Sequence, residues 1–212
     1  MIPESAASSP VPETGVPTEL FCLKRIRERL RQNSTETEPQ EGRRAAVAMI
    51  LLGSPLAQEL LFIRRAEYQN DPWSGDVAFP GGGIEEHDRD SRAAAERETR
   101  EEIGLSLPPE TYLGALGSIS GAYLPVSISA HLYQLPELPP LRLNHEVVKT
   151  FSVPLSVLLD PERNQPRRFE YRGKDRTHPT LNLDGYCARI LWGISYRLLQ
   201  KFFVSLGIER LL

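Results

Sequence analysis

Residues 81–105 hold the densest set of groups able to do chemistry. Gly81-Gly82-Gly83-Ile84-Glu85-Glu86-His87-Asp88 leads into a charged run that ends in Arg97-Glu98-Thr99-Arg100-Glu101-Glu102-Ile103-Gly104-Leu105. A helical residue turns by about 100°, so Glu98, Glu101 and Glu102 fall within about 100° of one another on one helix face. Crowding like charges there costs about 0.2–0.5 kcal/mol per i,i+4 pair. One reading of that face is a solvated acidic surface relieved by Arg97 and Arg100. The other is a seat for a hard cation, because Mg²⁺ takes oxygen ligands and bridges one or two carboxylates to substrate phosphates. The glycine run ahead of the helix lets backbone approach a ligand closely. Helix, glycines and carboxylates together point to phosphate chemistry, and the pattern alone leaves the solvated face open.

The elements that must position these groups follow from periodicity and turn residues. Ala45 to Leu52 and Glu59 to Arg65 are apolar runs separated by Gly53-Ser54-Pro55, which predicts a hairpin. Ala66 to Gly75 is a polar loop, and Asp76 to Phe79 is a short strand running into Pro80 and the glycines. The charged helix spans about Asp90 to Ile103, with Ala95, Thr99 and Ile103 at four-residue spacing against a sheet and Gly104 as its C-terminal cap. Further strands are expected at Tyr112 to Ser118, Val126 to Gln134 and Glu146 to Val153, with weaker ones at Phe169 to Arg172 and Thr180 to Leu183. A short helical turn ends at Leu159. Leu20, Leu23, Ile26 and Leu30 mark a helix over Glu19 to Arg31, and Gln32 to Gly42 reads as a linker. Tyr186 to Leu206 reads as one long amphipathic helix with Ile190, Leu191, Ile194, Leu198, Phe202 and Val204 toward the core. Strands and helices mix without regular alternation, so the expected fold class is α+β, a mixed sheet with helices on both sides.

The chain has 212 residues and a formal net charge of -3, which argues against a nucleic-acid or membrane-surface partner. Residues 1–18 are rich in Pro, Ser, Glu and Thr, and read as a flexible tail before a single domain over 19–212. Cys22 and Cys187 make neither a disulfide framework nor a zinc cluster, and read as buried or half-buried free thiols. No signal peptide or membrane span is evident, so a cytoplasmic protein is expected.

Arg97-Glu98-Thr99-Arg100-Glu101-Glu102-Ile103-Gly104-Leu105 resembles the end of the Nudix box, Arg-Glu-U-x-Glu-Glu-x-Gly-U, where U is a bulky aliphatic residue. Thr99 departs at a U position, which bears on packing more than on chemistry. The general box wants a Glu eight positions before the Arg, where this chain has Arg89. Moving the register by one gives Gly82, five residues, Asp88, eight residues, Arg97. That longer spacing resembles the coenzyme A pyrophosphatase branch of the family. Gly75-Asp76-Val77-Ala78-Phe79-Pro80-Gly81-Gly82 resembles the branch's Gly-x-Val-x-Phe-Pro-Gly-Gly lead-in, and Leu191-Trp192-Gly193-Ile194 its Ile-Trp-Gly-x-Thr segment. The likeness covers most of residues 45–203, with only the box highly specific. The branch's upstream signature, Arg-Ser-x-x-Leu-Arg-x-His, is not kept. Arg65-Ala66 begins it, but the loop is one residue longer and lacks the Leu-Arg and the His, which bears on the substrate.

The resemblance implies a Nudix-type α/β/α sandwich and a metal-dependent diphosphatase. By it, Glu98, Glu101 and Glu102 hold Mg²⁺ or Mn²⁺, joined by the backbone carbonyl of Gly82 or its neighbour. Arg97 orients a carboxylate, and Glu101, Glu102 or a residue outside the box acts as base. Asp88 braces Arg97 or the loop, or serves only as a charge at the helix N-terminus. Arg65, Gly81 and Glu146 are the candidate substrate contacts, with Arg64, Trp73 and Tyr68 nearby. His87, His131, His145 and His178 show no ligand spacing and read as surface or capping residues. The implied partner is a small-molecule nucleotide, with a homodimer as the candidate assembly. The implied reaction splits coenzyme A or its thioesters into 4′-phosphopantetheine and adenosine 3′,5′-bisphosphate. An ADP-ribose, NADH or nucleoside-diphosphate-sugar pyrophosphatase and a non-catalytic nucleotide-sensing module are the alternatives.

Overall fold

The apolar run ahead of the first turn becomes β1, Arg43–Leu52, and is buried along its second half. The computed structural model describes residues 22–33, 42–54, 57–69, 73–121, 125–171 and 173–208. The expected tail over 1–18 and most of the linker lie outside the described residues. One edge of β1 pairs in parallel with β6, Val126–Leu135, along its whole length. Its other edge is divided between two partners. Leu51 and Leu52 pair with β2, Glu59–Arg65, to give the expected hairpin, whereas Ala45, Ala46 and Val47 pair with β4, Gly81–Gly83. The glycine run is thus a strand built into the sheet, not the loop that its composition suggests. β3, Val77–Ala78, and β7, Val147–Pro154, pair with β2, and β5, Tyr112–Ser120, pairs with β6, completing a mixed seven-stranded sheet.

Helices cover both faces. α1, Leu23–Asn33, packs Ile26 and Leu30 into a core that also holds Met49, Leu51, Phe62, Phe79 and Leu132. α2, Ser91–Ile103, packs against the opposite face, where small side chains meet: Ala94 and Ala95 lie in one cluster with Ala46 and Ala48. Its ends follow local rules. The Asp90 carboxylate accepts from the Ala93 N–H at 2.8 Å, and Gly104 closes the helix at φ 70°, a left-handed conformation that favours glycine. After the short helix α3, Leu155–Leu158, come two ribbons. β8, Arg167–Tyr171, pairs with β9, Lys174–His178, and β10, Thr180–Asn182, pairs with β11, Ile190–Trp192.

The expected helix over 186–206 is therefore wrong in its first part. Ile190, Leu191 and Trp192 are extended and bonded to β10, and Gly193 turns the chain at φ 62° into α4, Gly193–Ser205. Leu191, Leu198 and Phe202 are buried as expected, but Val204 points to solvent. Cys22 is likewise exposed while Cys187 is buried.

Two histidines read as surface residues are buried. His178 stacks on Phe169 at 4.8 Å between ring centres. His131 sits under the start of α2, with Ser91 Oγ 3.0 Å from Nε2 and Tyr112 Oη 3.3 Å from Nδ1. Burial pushes the His131 imidazole down to about 4. The unfolded chain takes that proton near 6.5 while the folded chain stays neutral to about 4, so stability falls as pH drops through this window. We expect the loss between pH 7 and pH 5 to be smaller by about 2 kcal/mol in His131→Gln than in the parent chain. Urea unfolding at the two pH values checks this, and identical losses would contradict it. A second test compares two glycines of β4. A Cβ on Gly81, at φ 149°, would lie 2.2 Å from the Ala46 carbonyl oxygen, whereas one on Gly83 meets nothing within 4 Å. Gly81→Ala should lose about 3 kcal/mol or more, and Gly83→Ala less than about 1 kcal/mol.

Candidate active site

β4 and the acidic face of α2 meet residue against residue. The Gly81 N–H donates to Glu102 Oε2 at 2.9 Å. A Cβ on Gly82 would lie 2.5 Å from Glu98 Cδ, so the Glu98 carboxylate occupies the space that any other side chain would fill. The Gly83 carbonyl accepts from Arg97 Nη2 at 2.9 Å. Three consecutive strand residues thus answer three side chains of one helix.

Arg97 ties the arrangement together. Its Nε and Nη2 donate to the two oxygens of Asp88 at 3.0 and 2.9 Å, a bidentate pair that fixes the guanidinium plane. Its Nη1 donates to Glu98 at 3.0 Å and to Glu101 at 3.2 Å. The Arg97 side chain is 12% exposed and Asp88 only 3%, so this pair is largely shielded from water. The Arg97 guanidinium holds the Asp88 carboxyl down at about 2, and Arg97 itself is held more firmly protonated by Asp88. Asp88 also caps the turn by accepting from the Glu85 N–H at 2.9 Å.

The glutamates differ in environment. Glu102 is 1% exposed, and burial pushes its carboxyl up to about 8 against the lowering effects of the Gly81 N–H and Arg65, with Glu98 and Glu146 raising it further. Glu98 is raised by burial, opposed by Arg97 and reinforced by Glu101 and Glu146. Glu101 is half exposed and turned to Arg97. Among the described residues, no three acidic, histidine or cysteine side chains are gathered into a ready metal cage. The expected three-glutamate seat is not preassembled, because Arg97 engages Glu98 and Glu101 while Glu102 is bonded to backbone.

Glu146 is brought toward this cluster by a loop that bridges two elements. Asn144 N–H donates to the Glu102 carbonyl at 2.9 Å, and Ala66 N–H to the Glu146 carbonyl at 2.7 Å. The Glu146 N–H is bonded to Asn144 Oδ1 at 2.8 Å, and Tyr68 Oη donates to the His145 carbonyl at 2.7 Å. A cavity of about 500 Å³ opens on the other side of the glycine strand, lined by Arg65, Trp73, Gly81 and Gly82 and closed by Trp192 and His178. Tyr68 is 44% exposed and does not line it, and Arg64 pairs instead with Glu67 at 3.2 Å.

Asp76, Trp192 and His178 also line this cavity, a position their sequence context does not by itself mark. Trp192 Nε1 donates to Asp76 Oδ1 at 3.1 Å, joining the strand ahead of the glycines to the start of α4. The Trp192-Gly193 pair was the available sequence signal. Nothing in the pattern distinguishes His178 from an exposed histidine.

Known proteins share this architecture. The NUDIX domain pattern matches residues 42–171. The chain is 30% identical over 174 residues to an uncharacterised Nudix hydrolase, NudL, of Enterobacter sp. strain 638, covering 79% of this chain and 85% of that protein. It is 37% identical over 111 residues to an uncharacterised protein of Schizosaccharomyces pombe, a match spanning 49% of this chain and 34% of that longer protein. The solved MutT/nudix family protein of Enterococcus faecalis superposes with a TM-score of 0.55 at 15% identity, over 84% of this chain and 66% of that one, and so shares the fold. A domain match over more than half of the residues, on top of this strand-and-helix arrangement, makes the chain a member of the Nudix hydrolase family.

Proposed function

We propose that this Nudix hydrolase cleaves the diphosphate linkage of a nucleotide-containing metabolite, with coenzyme A or its thioesters as substrate. One observation carries the reading: the Glu98 and Glu102 carboxylates lie against adjacent residues of a glycine strand that also walls a cavity. In this reading residues 19–212 form one catalytic domain behind a tail of residues 1–18.

The donor chemistry suits a hard divalent cation. Glu98, Glu102 and the Gly82 carbonyl would hold Mg²⁺ or Mn²⁺, with Glu101 joining from the rim. Once bound, the ion supplies charge neutralisation for the diphosphate and activation of water. Arg97 keeps Glu98 and Glu101 oriented, and Asp88 keeps Arg97 in plane. Arg65 lines the cavity within electrostatic reach of Glu102, where it meets substrate phosphate. The resemblance leaves the base to Glu101, Glu102 or a residue outside the box. Glu102 is bonded to Gly81 and Glu101 to Arg97, so the reading assigns proton acceptance from water to Glu146. A second substrate class, ADP-ribose, NADH or a nucleoside-diphosphate sugar, is favoured by the loop after β2. It departs from the branch signature, and its Trp73 lines the cavity.

Assay of coenzyme A, acetyl-coenzyme A, ADP-ribose, NADH and a UDP-sugar with Mg²⁺ or Mn²⁺ should show the fastest turnover on coenzyme A. Faster cleavage of ADP-ribose would move the assignment to the second class. Glu98→Gln and Glu102→Gln should each lower kcat by about 100-fold or more, with circular dichroism unchanged. Near-normal rates would remove both residues from the site. Metal binding should also be coupled to proton release. The Glu102 carboxyl is held neutral up to about 8, so an arriving ion expels its proton at pH 7, and apparent affinity rises as pH climbs toward that value. Titration calorimetry in two buffers of different ionisation enthalpy reads this directly, and a heat independent of buffer would contradict it.

A further inference from the structure

The cavity beside β4 has a composition that the hydrolytic site does not require. Four arginines border it, Arg43, Arg44, Arg65 and Arg197, against the single acidic residue Asp76. Arg44, in step with Ala46 and Ala48 along β1, turns its side chain to the α2 face, and Arg43, in step with Ala45 and Val47, to the cavity. In a chain of net charge -3, that is a local excess of positive charge. Arg43 and Arg44 lie on β1 just before Ala45, which pairs with Gly83, so they prolong the wall formed by the glycine strand. Arg197 stands one turn into α4, its Nη1 held by the Ser120 carbonyl at 2.6 Å. The start of α4, Gly193 to Ser195, lines the same space, and a helix N-terminus adds partial positive charge to it.

The remaining wall is aromatic and held in place. The Trp192 indole is tied by its N–H to Asp76 at 3.1 Å. Phe169 and His178 meet that indole at ring separations of 4.9 and 5.4 Å and at interplanar angles of 87° and 72°. Trp73 lines the cavity as well, so both tryptophans of the chain face one space. A fixed indole beside clustered arginines suits a ligand with a flat ring and several phosphate oxygens, because bases stack on aromatic faces and guanidinium forks pair with phosphates.

We infer that this cavity takes the nucleotide half of the substrate, with the base against Trp192 and the phosphates between Arg43 and Arg197. The inference rests on the proposed diphosphatase reading and adds polarity to it. The nucleotide enters the cavity, the scissile linkage lies over Gly81 and Gly82, and the other half of the substrate leaves on the Glu146 side. Trp192 is then a specificity-determining residue, and substrates that lack a base lose affinity more than turnover.

The test reads binding without metal or catalysis. Trp73→Phe leaves Trp192 as the sole indole, and its emission is followed while adenosine 3′,5′-bisphosphate or 4′-phosphopantetheine is added. Saturable quenching by the bisphosphate alone is expected, weakened by added salt and by Arg43→Gln. Trp192→Leu, monitored by calorimetry, should bind the bisphosphate about tenfold more weakly, and Trp192→Phe should recover part of that loss. Quenching by 4′-phosphopantetheine instead, no response to either, or unchanged affinity in Trp192→Leu would overturn the inference. A chain that binds the bisphosphate here but splits no diphosphate would sink the hydrolase reading alone. A chain that hydrolyses its substrate with an unchanged KM in Trp192→Leu would sink this inference alone.

Discussion

A side chain at position 82 would collide with the Glu98 carboxylate, and one at position 81 with the backbone of β1. The rest of the site depends on that closeness. Only bare backbone lets α2 bring carboxylates to within hydrogen-bonding distance of a sheet strand, so that Glu102 meets an N–H and Glu98 meets a peptide plane. The small residues on β1 and α2 serve the same end. Ala46, Ala48, Ala94 and Ala95 let the helix lie low on the sheet, where larger residues would hold it away.

Bringing acids this close to a core carries an electrostatic cost, and the structure shows how it is contained. Glu102 stays neutral to about 8 and gains a backbone donor. Glu98 and Glu101 share Arg97, which is itself pinned by Asp88. One arginine at the centre of the carboxylate cluster offsets the repulsion among its members.

Much of this was readable in the sequence because it is local. Asp90 and Gly104 mark the ends of α2 by capping chemistry, and the apolar runs about Gly53 mark the hairpin. The family resemblance implies that Asp88 braces Arg97 or the loop, and the ion pair with Arg97 is observed at 2.9 Å. What was not readable depends on distant partners. Gly81–Gly83 has no strand propensity and becomes one only because half an edge of β1 is vacant. Ile190–Trp192 carries helical periodicity, but pairing with Thr180–Asn182 overrides it, and Gly193 supplies the break. The three glutamates look equivalent on a helical projection. Their separation into buried, half-buried and exposed follows from which of them meet β4, which no projection contains. His131 and His178 are buried by neighbours from other elements, and sequence spacing holds no trace of that.

The central claim is that the glycine strand and the α2 carboxylates together form the seat of a divalent ion. Anomalous scattering from crystals grown with Mn²⁺ and a non-hydrolysable diphosphate tests it most directly. The account predicts a manganese peak within coordination distance of Glu98, Glu102 and the Gly82 carbonyl, with Arg97 still on Asp88. Manganese bound elsewhere, or a diphosphate seated away from Gly81 and Gly82, would contradict it.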